Sequence, residues 1–382
     1  MPAPRLRTAA LSALVAGGLL VLGGCASGGG SSGPGPVRER DRAVKSDFDH
    51  QAFADLGYRL DWEGFPIVSK RGRLTKLVAY PDMIVTQESG SSVSVLESGT
   101  GALRGGIELG SQLTKFLWLG RRELGGRYDL LVASETELFV VSGETLAILA
   151  RQHFDEVIAT APARLGNLAI FGTLRGRLLA HDTNSGLRLW GNSMDSAIEA
   201  APALVDDTVA AVSQTGQVLF VRANDGTLVS QARVLDGLAN DPVASSDRVF
   251  IAGLDQSVYA LDPRTGQQIW RFRTSEPVRS QPRYHDGALY IGLDDLGFTA
   301  IDPVRGTPRW SSAGVKGELV AVQNGDLIVF DGTTASRLDA RTGDVIAKAK
   351  LTGISALVPD AFVDGSLYAI RNGNRVSKLV PR

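Results

Sequence analysis

Arg248-Val249-Phe250-Ile251-Ala252-Gly253, then Asp255-Gln256, then Ser257-Val258-Tyr259-Ala260-Leu261-Asp262, then Pro263-Arg264-Thr265-Gly266, then Gln267-Gln268-Ile269-Trp270-Arg271-Phe272 is the stretch from which the fold is read. Three runs of strand length, rich in β-branched and aromatic residues, are separated by two tight polar turns. Such runs favour extended backbone, and Pro, Gly and Asp mark the reversals between them. The stretch therefore predicts three consecutive antiparallel strands.

The same pattern recurs on both sides. Pro162, Pro202, Pro242 and Pro282 are spaced by 40 residues, and so are Gly186, Gly226, Gly266 and Gly306. A short strand around each proline completes four strands per unit, since Pro at a strand start sacrifices no ladder hydrogen bond. Four antiparallel strands every forty residues make a propeller blade. The turn before each unit's last strand appears at Ser98-Gly99-Thr100-Gly101, degenerately at Ser142-Gly143-Glu144-Thr145, then at Gly186, Gly226, Gly266, Gly306 and Gly343, giving seven units. Beyond Gly343 the chain supplies three more strands, near 355–362, 366–371 and 375–380, while a spare one, Tyr58-Arg59-Leu60-Asp61-Trp62, stands at the start. Joining the termini predicts an eighth blade, and closing the ring removes edges that would invite aggregation. The expected fold is all-β: an eight-bladed propeller over residues 51–382, its last blade closed by the N-terminal strand.

Three units share one frame: Ala180-x-Asp182-x-x-x-Gly186-x-x-x-Trp190, Ala260-x-Asp262-x-x-x-Gly266-x-x-x-Trp270 and Ala300-x-Asp302-x-x-x-Gly306-x-x-x-Trp310. This frame resembles the tryptophan-docking motif of the quinoprotein-type (PQQ-like) propeller family. The resemblance implies that each Trp packs between neighbouring blades, that Gly permits the turn, and that Ala leaves room for the ring. The Trp is missing at Ile148-Leu149-Ala150, at Leu228-Val229-Ser230, at Ile346-Ala347-Lys348 and in the last unit before closure, where less regular interfaces are expected.

The N-terminus reads as an address. Arg5 and Arg7 precede an apolar run over residues 11–21, too short for a comfortable transmembrane helix. The run ends in Leu22-Gly23-Gly24-Cys25, which resembles the lipobox of bacterial lipoproteins, and Cys25 is the one cysteine of the chain. Residues 1–24 are thus expected to be a lipoprotein signal peptide and Cys25 a lipidated anchor, with Ala26 implying the outer membrane, facing the periplasm. The Gly/Ser/Pro-rich stretch and charged run that follow cannot bury apolar surface and predict a flexible tether over residues 25–50.

Chemistry is sparse. With 40 basic and 41 acidic residues the net charge is -1, which provides no electrostatic footprint for nucleic acid. His50, His153, His181 and His285 are scattered, so no zinc site is expected. Asp206-Asp207 and Asp294-Asp295 fall at predicted turns, where solvated acids are the ordinary reading. Neither a metal nor a cofactor is expected, and no nucleophile or base can be named. One unit breaks the rhythm. Its turn falls late, after Phe116-Leu117-Trp118-Leu119-Gly120-Arg121-Arg122-Glu123, which reads as an inner strand running into a charged loop. Phe116, Trp118, Arg121 and Arg122 also combine the residue types that anchor partners, and this loop is the expected partner site. Its arginines are expected to be solvated.

Within the propeller family, a tethered single-propeller lipoprotein resembles the branch that assists outer-membrane protein assembly. The resemblance implies a non-catalytic, monomeric subunit that docks on the β-barrel assembly machinery. The alternative is a propeller holding PQQ or another small ligand, as enzyme or sensor.

Overall fold

Runs such as Val249–Gly253 and Ser257–Leu261 are buried along their whole length rather than on alternate residues. A strand of this kind has both faces covered, and here the covers are the neighbouring blades. The computed structural model describes residues 48–382 apart from Gln112, and residues 49–382 form one compact unit. The expected signal peptide, Cys25 and nearly all of the tether lie outside the described residues.

Eight four-stranded antiparallel sheets form the propeller ring. Blade 1 runs from Leu74–Ala79 on the inside to Leu103–Glu108 on the outside, and blade 2 from Phe116–Leu124 to Ile148–His153. Blades 3 to 6 begin with inner strands Ala163–Leu165, Ala203–Val205, Val243–Ala244 and Arg283–His285 and end with outer strands Leu187–Ser193, Leu228–Arg233, Gln268–Arg273 and Pro308–Ser312. Blade 7 spans Glu318–Gln323 to Val345–Lys350. Blade 8 combines Ile354–Pro359, Leu367–Arg371 and Arg375–Pro381 with the N-terminal strand Tyr58–Gly64, paired from Tyr58↔Pro381 to Gly64↔Val376.

The closing strand is held by more than its ladder. Tyr58 is fully buried, the buried Arg371 is paired with Glu63, and Lys378 Nζ lies 3.6 Å from Asp61. A short helix, His50–Asp55, which the sequence pattern did not reveal, precedes it. Asp49 caps this helix by accepting from the Ala52 N–H at 3.0 Å, and Phe53 is buried.

Two details differ from expectation. The repeating prolines stand just before the inner strands rather than within them. Ahead of three of them the preceding residue bonds to the next blade: the Ala201 N–H donates to Asp241, the Asp241 N–H to Gln281 and the Gln281 N–H to Glu318, at 2.7, 2.9 and 3.2 Å. The first strand of blade 8 ends early, at Pro359, because the chain turns aside to pair with blade 7. The Val322 N–H donates to the Phe362 carbonyl and the Asp364 N–H to the Val322 carbonyl, a parallel bridge on the inner strand of blade 7.

Candidate functional site

The seams between blades carry the sequence motif. Every outer strand has a register shift, and the residue beside it faces a third-strand residue of its own blade. Ala180 lies opposite Trp190, Ala260 opposite Trp270 and Ala300 opposite Trp310. Where the outer residue is small the partner is large: Val95 opposite Gly105, Val140 opposite Ala150, Phe220 opposite Ser230 and Arg337 opposite Ala347. Interiors are close-packed, so one bulky member per pair fills the space.

Each indole then reaches across to the following blade. The Trp190, Trp270 and Trp310 Nε1–H groups donate to the carbonyls of Ala223, Pro303 and Ala340 at 2.9, 2.8 and 3.1 Å. Those carbonyls stand three residues before Gly226, Gly306 and Gly343. At Gly306 (φ +70°) a Cβ would fall 2.4 Å from the Trp270 ring, and Gly226 and Gly343 meet Trp190 and Trp310 in the same way. The glycine thus serves the tryptophan of the preceding blade, not the one in its own frame. Gly186 and Gly266 face Gln152 and the Gln231 backbone instead. The frame's aspartates shape the turns: Asp302 accepts from the Val304 and Arg305 N–H groups at 2.9 Å each, and Asp262 from the Arg264 N–H at 2.8 Å. Asp182 does the same with the Asn184 N–H at 3.0 Å. The Arg305 N–H bond, with lesser contributions from Val304 and Arg309 and against some desolvation, holds the Asp302 carboxyl below the usual carboxylate range.

Blade 8 is not without its tryptophan. Trp62 on the closing strand donates to the Ser98 carbonyl at 3.0 Å and lies against Gly101. The last unit lacks the residue only before closure, and the closing strand, which ends in Trp as its sequence shows, supplies it from the far end of the chain. Blade 1 lacks it as well: Gly105 stands at its position, and Leu146 of the next blade approaches it. In two other seams a polar side chain replaces the indole N–H. Gln152 Nε2 donates to the Thr183 carbonyl at 2.9 Å, and Ser230 Oγ to the Pro263 carbonyl at 2.7 Å. Both of these seams contain clefts, of about 230 Å³ beside Phe154, His181 and Arg188 and about 310 Å³ beside Asp207, Arg222 and Asp247.

The irregular second blade proves to be a long strand and not a loop. Phe116–Leu124 pairs with Arg127–Ser134 through a turn at Gly125-Gly126, so the extra residues lengthen a hairpin. Neighbouring strand residues point to opposite faces, and Arg121 and Arg122 bolt onto different blades. Arg121 pairs with Asp82 of blade 1 at 2.7 Å, its guanidinium 4.1 Å from the Tyr80 ring and 4.4 Å from the Tyr128 ring. Arg122 pairs with Asp129 at 3.1 Å and donates to the Thr183 carbonyl and Asn184 of blade 3. Phe116 is buried against Phe139, and Trp118 lies beneath the Arg164 guanidinium at 5.2 Å. The expectation of solvated loop arginines is therefore corrected. The hairpin tip offers to solvent Glu123, Arg127 and, as its apolar members, Leu124 and Tyr128, 52% and 37% exposed.

A measurable consequence follows. Arg122→Ala leaves Asp129 without its guanidinium in a site where both side chains are only 12% exposed. It is expected to cost about 1–3 kcal/mol, whereas Arg305→Ala, at a side chain 79% exposed, stays within about 0.5 kcal/mol. Denaturant midpoints that fail to separate the two variants would contradict the strap role.

The paired acids at turns are engaged locally: Asp295 accepts from Ser275, Asp294 lies 3.5 Å from Lys316, and Asp207 lies 3.8 Å from Arg222. Among the described residues no group of three His, Cys, Asp or Glu side chains is placed to hold a metal ion. His181 is buried, with Nε2 2.8 Å from Gln152 Oε1, and desolvation lowers its pKa despite nearby Asp182 and Asp155.

Strand order, docking seams and ring closure define the class: an eight-bladed propeller built from quinoprotein-type repeats. The family described as "Outer membrane protein assembly factor BamB" matches residues 85–240 and 214–380, and the chain belongs to that family. The BamB of Legionella pneumophila (strain Paris) is 24% identical over 196 residues, covering 47% of this chain and 50% of that protein. The BamB of Burkholderia pseudomallei (strain K96243) is 23% identical over 158 residues, covering 40% and 41%. The matched region thus spans about half the length of these relatives or less. Among solved structures, BamB from Moraxella catarrhalis superposes with a TM-score of 0.64 at 18% identity, covering 83% of this chain and 97% of that one. The computationally designed Ika8 protein superposes with a TM-score of 0.67 at 17% identity, covering 84% and 100%.

Proposed function

We propose that this chain is a non-catalytic envelope scaffold that assists outer-membrane protein assembly by docking on the β-barrel assembly machinery. The observation that carries the reading is the family match across residues 85–380, which extends over most of the ring. The assembly role in the relatives' name supports the partner class and the outer-membrane location. The lipobox-like Leu22-Gly23-Gly24-Cys25 adds the anchor, with Cys25 diacylated and then exposed as the first residue by removal of residues 1–24. Two or three acyl chains hold a protein firmly at a bilayer, at about 0.8 kcal/mol per buried methylene.

The docking element in this reading is the exposed tip of the blade 2 hairpin, with Arg121 and Arg122 bracing it against blades 1 and 3. A tip built from Leu124 and Tyr128 around two glycines joins apolar area to a braced base, and rigid aromatic anchors suit interfaces. Crosslinked capture from membranes tests it. The native chain is expected to retain β-barrel assembly subunits, and Leu124→Asp with Tyr128→Asp is expected to lose them while melting normally. Capture of unrelated proteins only would sink the assembly role, and unchanged capture by the tip variant would move the docking site to another loop. Cys25→Ser is expected to abolish palmitate labelling, so equal labelling of that variant would refute the anchor. Purified protein that acquires quinone absorbance on addition of PQQ and calcium would favour the ligand-binding alternative.

A further inference from the structure

The connector from the closing strand to blade 1, residues 65–73, reads Phe-Pro-Ile-Val-Ser-Lys-Arg-Gly-Arg. It is pinned at several points. The Ile67 N–H donates to Ser94 Oγ at 3.0 Å, the Ser69 N–H to Glu88 Oε2 at 2.7 Å, and the Gly72 N–H to the Ser69 carbonyl at 3.0 Å. The Ser89 N–H donates to the Arg73 carbonyl at 2.7 Å. A Cβ on Gly72 would meet Glu88 Oε2 at 2.2 Å, so the turn closes tightly over that carboxylate.

This pinned backbone presents apolar and basic side chains within one short segment. Phe65 is 60% exposed and Ile67 46% exposed, although a connector has no need of either outside. Lys70, Arg71 and Arg73 are exposed, and among the described residues their side chains have no hydrogen-bond or ion-pair partner. Many arginines elsewhere are tied down, as at Arg121, Arg122, Arg271 and Arg337. The nearest acid, Glu88, is buried beneath the turn and accepts from Ser69, so it does not present a countercharge at the surface. The Arg375 guanidinium lies 5.9 Å from the Phe65 ring and extends the basic rim. Between the cations an open cleft of about 460 Å³ is lined by Ser69, Lys70, Arg71, Gly72, Ser89 and Gly90.

We propose that this connector is a docking surface for an anionic phospholipid bilayer, with Phe65 and Ile67 entering the interface and Lys70, Arg71 and Arg73 meeting the headgroups. Exposed apolar side chains beside unneutralised cations are the two components of interfacial binding. A free phosphate would account for the cations and leave Phe65 and Ile67 unexplained. The site is independent of the assembly role, because no residue in it belongs to the blade 2 hairpin.

The test uses the segment from residue 26 onward, which keeps every strand of the ring and excludes the acyl anchor. Flotation with phosphatidylcholine–phosphatidylglycerol vesicles is expected to carry the protein, and phosphatidylcholine vesicles are not. Lys70→Glu, Arg71→Glu and Arg73→Glu together should weaken partitioning at least about tenfold, with melting unchanged because exposed charges contribute little to stability. Phe65→Ser with Ile67→Ser should weaken it on the same vesicles. Equal flotation of the charge-reversed chain, or equal binding to both vesicle types, overturns the proposal. Inorganic phosphate binding that needs the three cations, combined with vesicle binding indifferent to Phe65 and Ile67, would reassign the surface to a simple anion site and also overturn it.

Discussion

Trp270→Ala is expected to destabilise the ring by about 3–5 kcal/mol, the usual cost of truncating a buried tryptophan. Trp270 is 8% exposed, packs 5.9 Å from the Phe250 ring, and spends its N–H on the Pro303 carbonyl of the next blade. Its removal opens a cavity in the seam and leaves that carbonyl to the Arg248 guanidinium, which donates to it at 2.7 Å. Trp190 and Trp310 make the same bond but are more exposed, so smaller losses are expected there. Gly306→Ala attacks the same contact from the other side, and its effect should overlap with that of Trp270→Ala rather than add to it. Denaturant unfolding of the two single variants and the pair checks this. A Trp270→Ala loss below about 1 kcal/mol would show that the seam relaxes around the missing ring.

Deletion through Trp62 is expected to do more, converting a closed ring into an open one. The strand Arg375–Pro381 would lose its outer partner and present an unpaired edge, a template for aggregation. Arg371, 3% exposed, would lose its ion pair with Glu63, and weakening a buried charge pair is destabilising. The Trp62 bond to the Ser98 carbonyl, which joins blade 8 to blade 1, would go with it. Deleting residues 26–45 instead should leave the melting transition nearly where it was, since a Gly/Ser/Pro-rich and charged stretch contributes no apolar packing. Size-exclusion profiles and thermal melts of the two deletions decide the matter. Identical melting of both would mean that the N-terminal strand does not close the ring.

The blade count, the strand order and the closing strand were legible because they depend on local patterns. Val249–Gly253 and Ser257–Leu261 reveal themselves by composition, and the repeat of Gly226, Gly266 and Gly306 reveals the period. The candidate site was legible only in part. The lengthened unit at Phe116–Leu124 was correctly marked as irregular, but its charges were misread as solvated. Nothing in Arg121-Arg122 discloses that Asp82 lies 39 residues back, or that the carbonyl of Thr183 lies 61 residues ahead.

By itself, then, the sequence determined the architecture: short strands of fixed spacing, turns at fixed positions, and a spare strand at one end matching a vacancy at the other. Backbone preference and strand alternation act within a few residues, so a linear reading captures them. Only the tertiary structure decided which residues meet across the seams. It paired Gly306 with the tryptophan of the blade before it, set Trp62 against Ser98 and Gly101 of blade 1, and aimed Arg121 and Arg122 at opposite neighbours. It also left Lys70, Arg71 and Arg73 unpaired beside exposed Phe65. A charged side chain is solvated, braced or available according to what the fold brings within a few ångströms of it, and that neighbourhood is assembled from residues dozens to hundreds of positions apart.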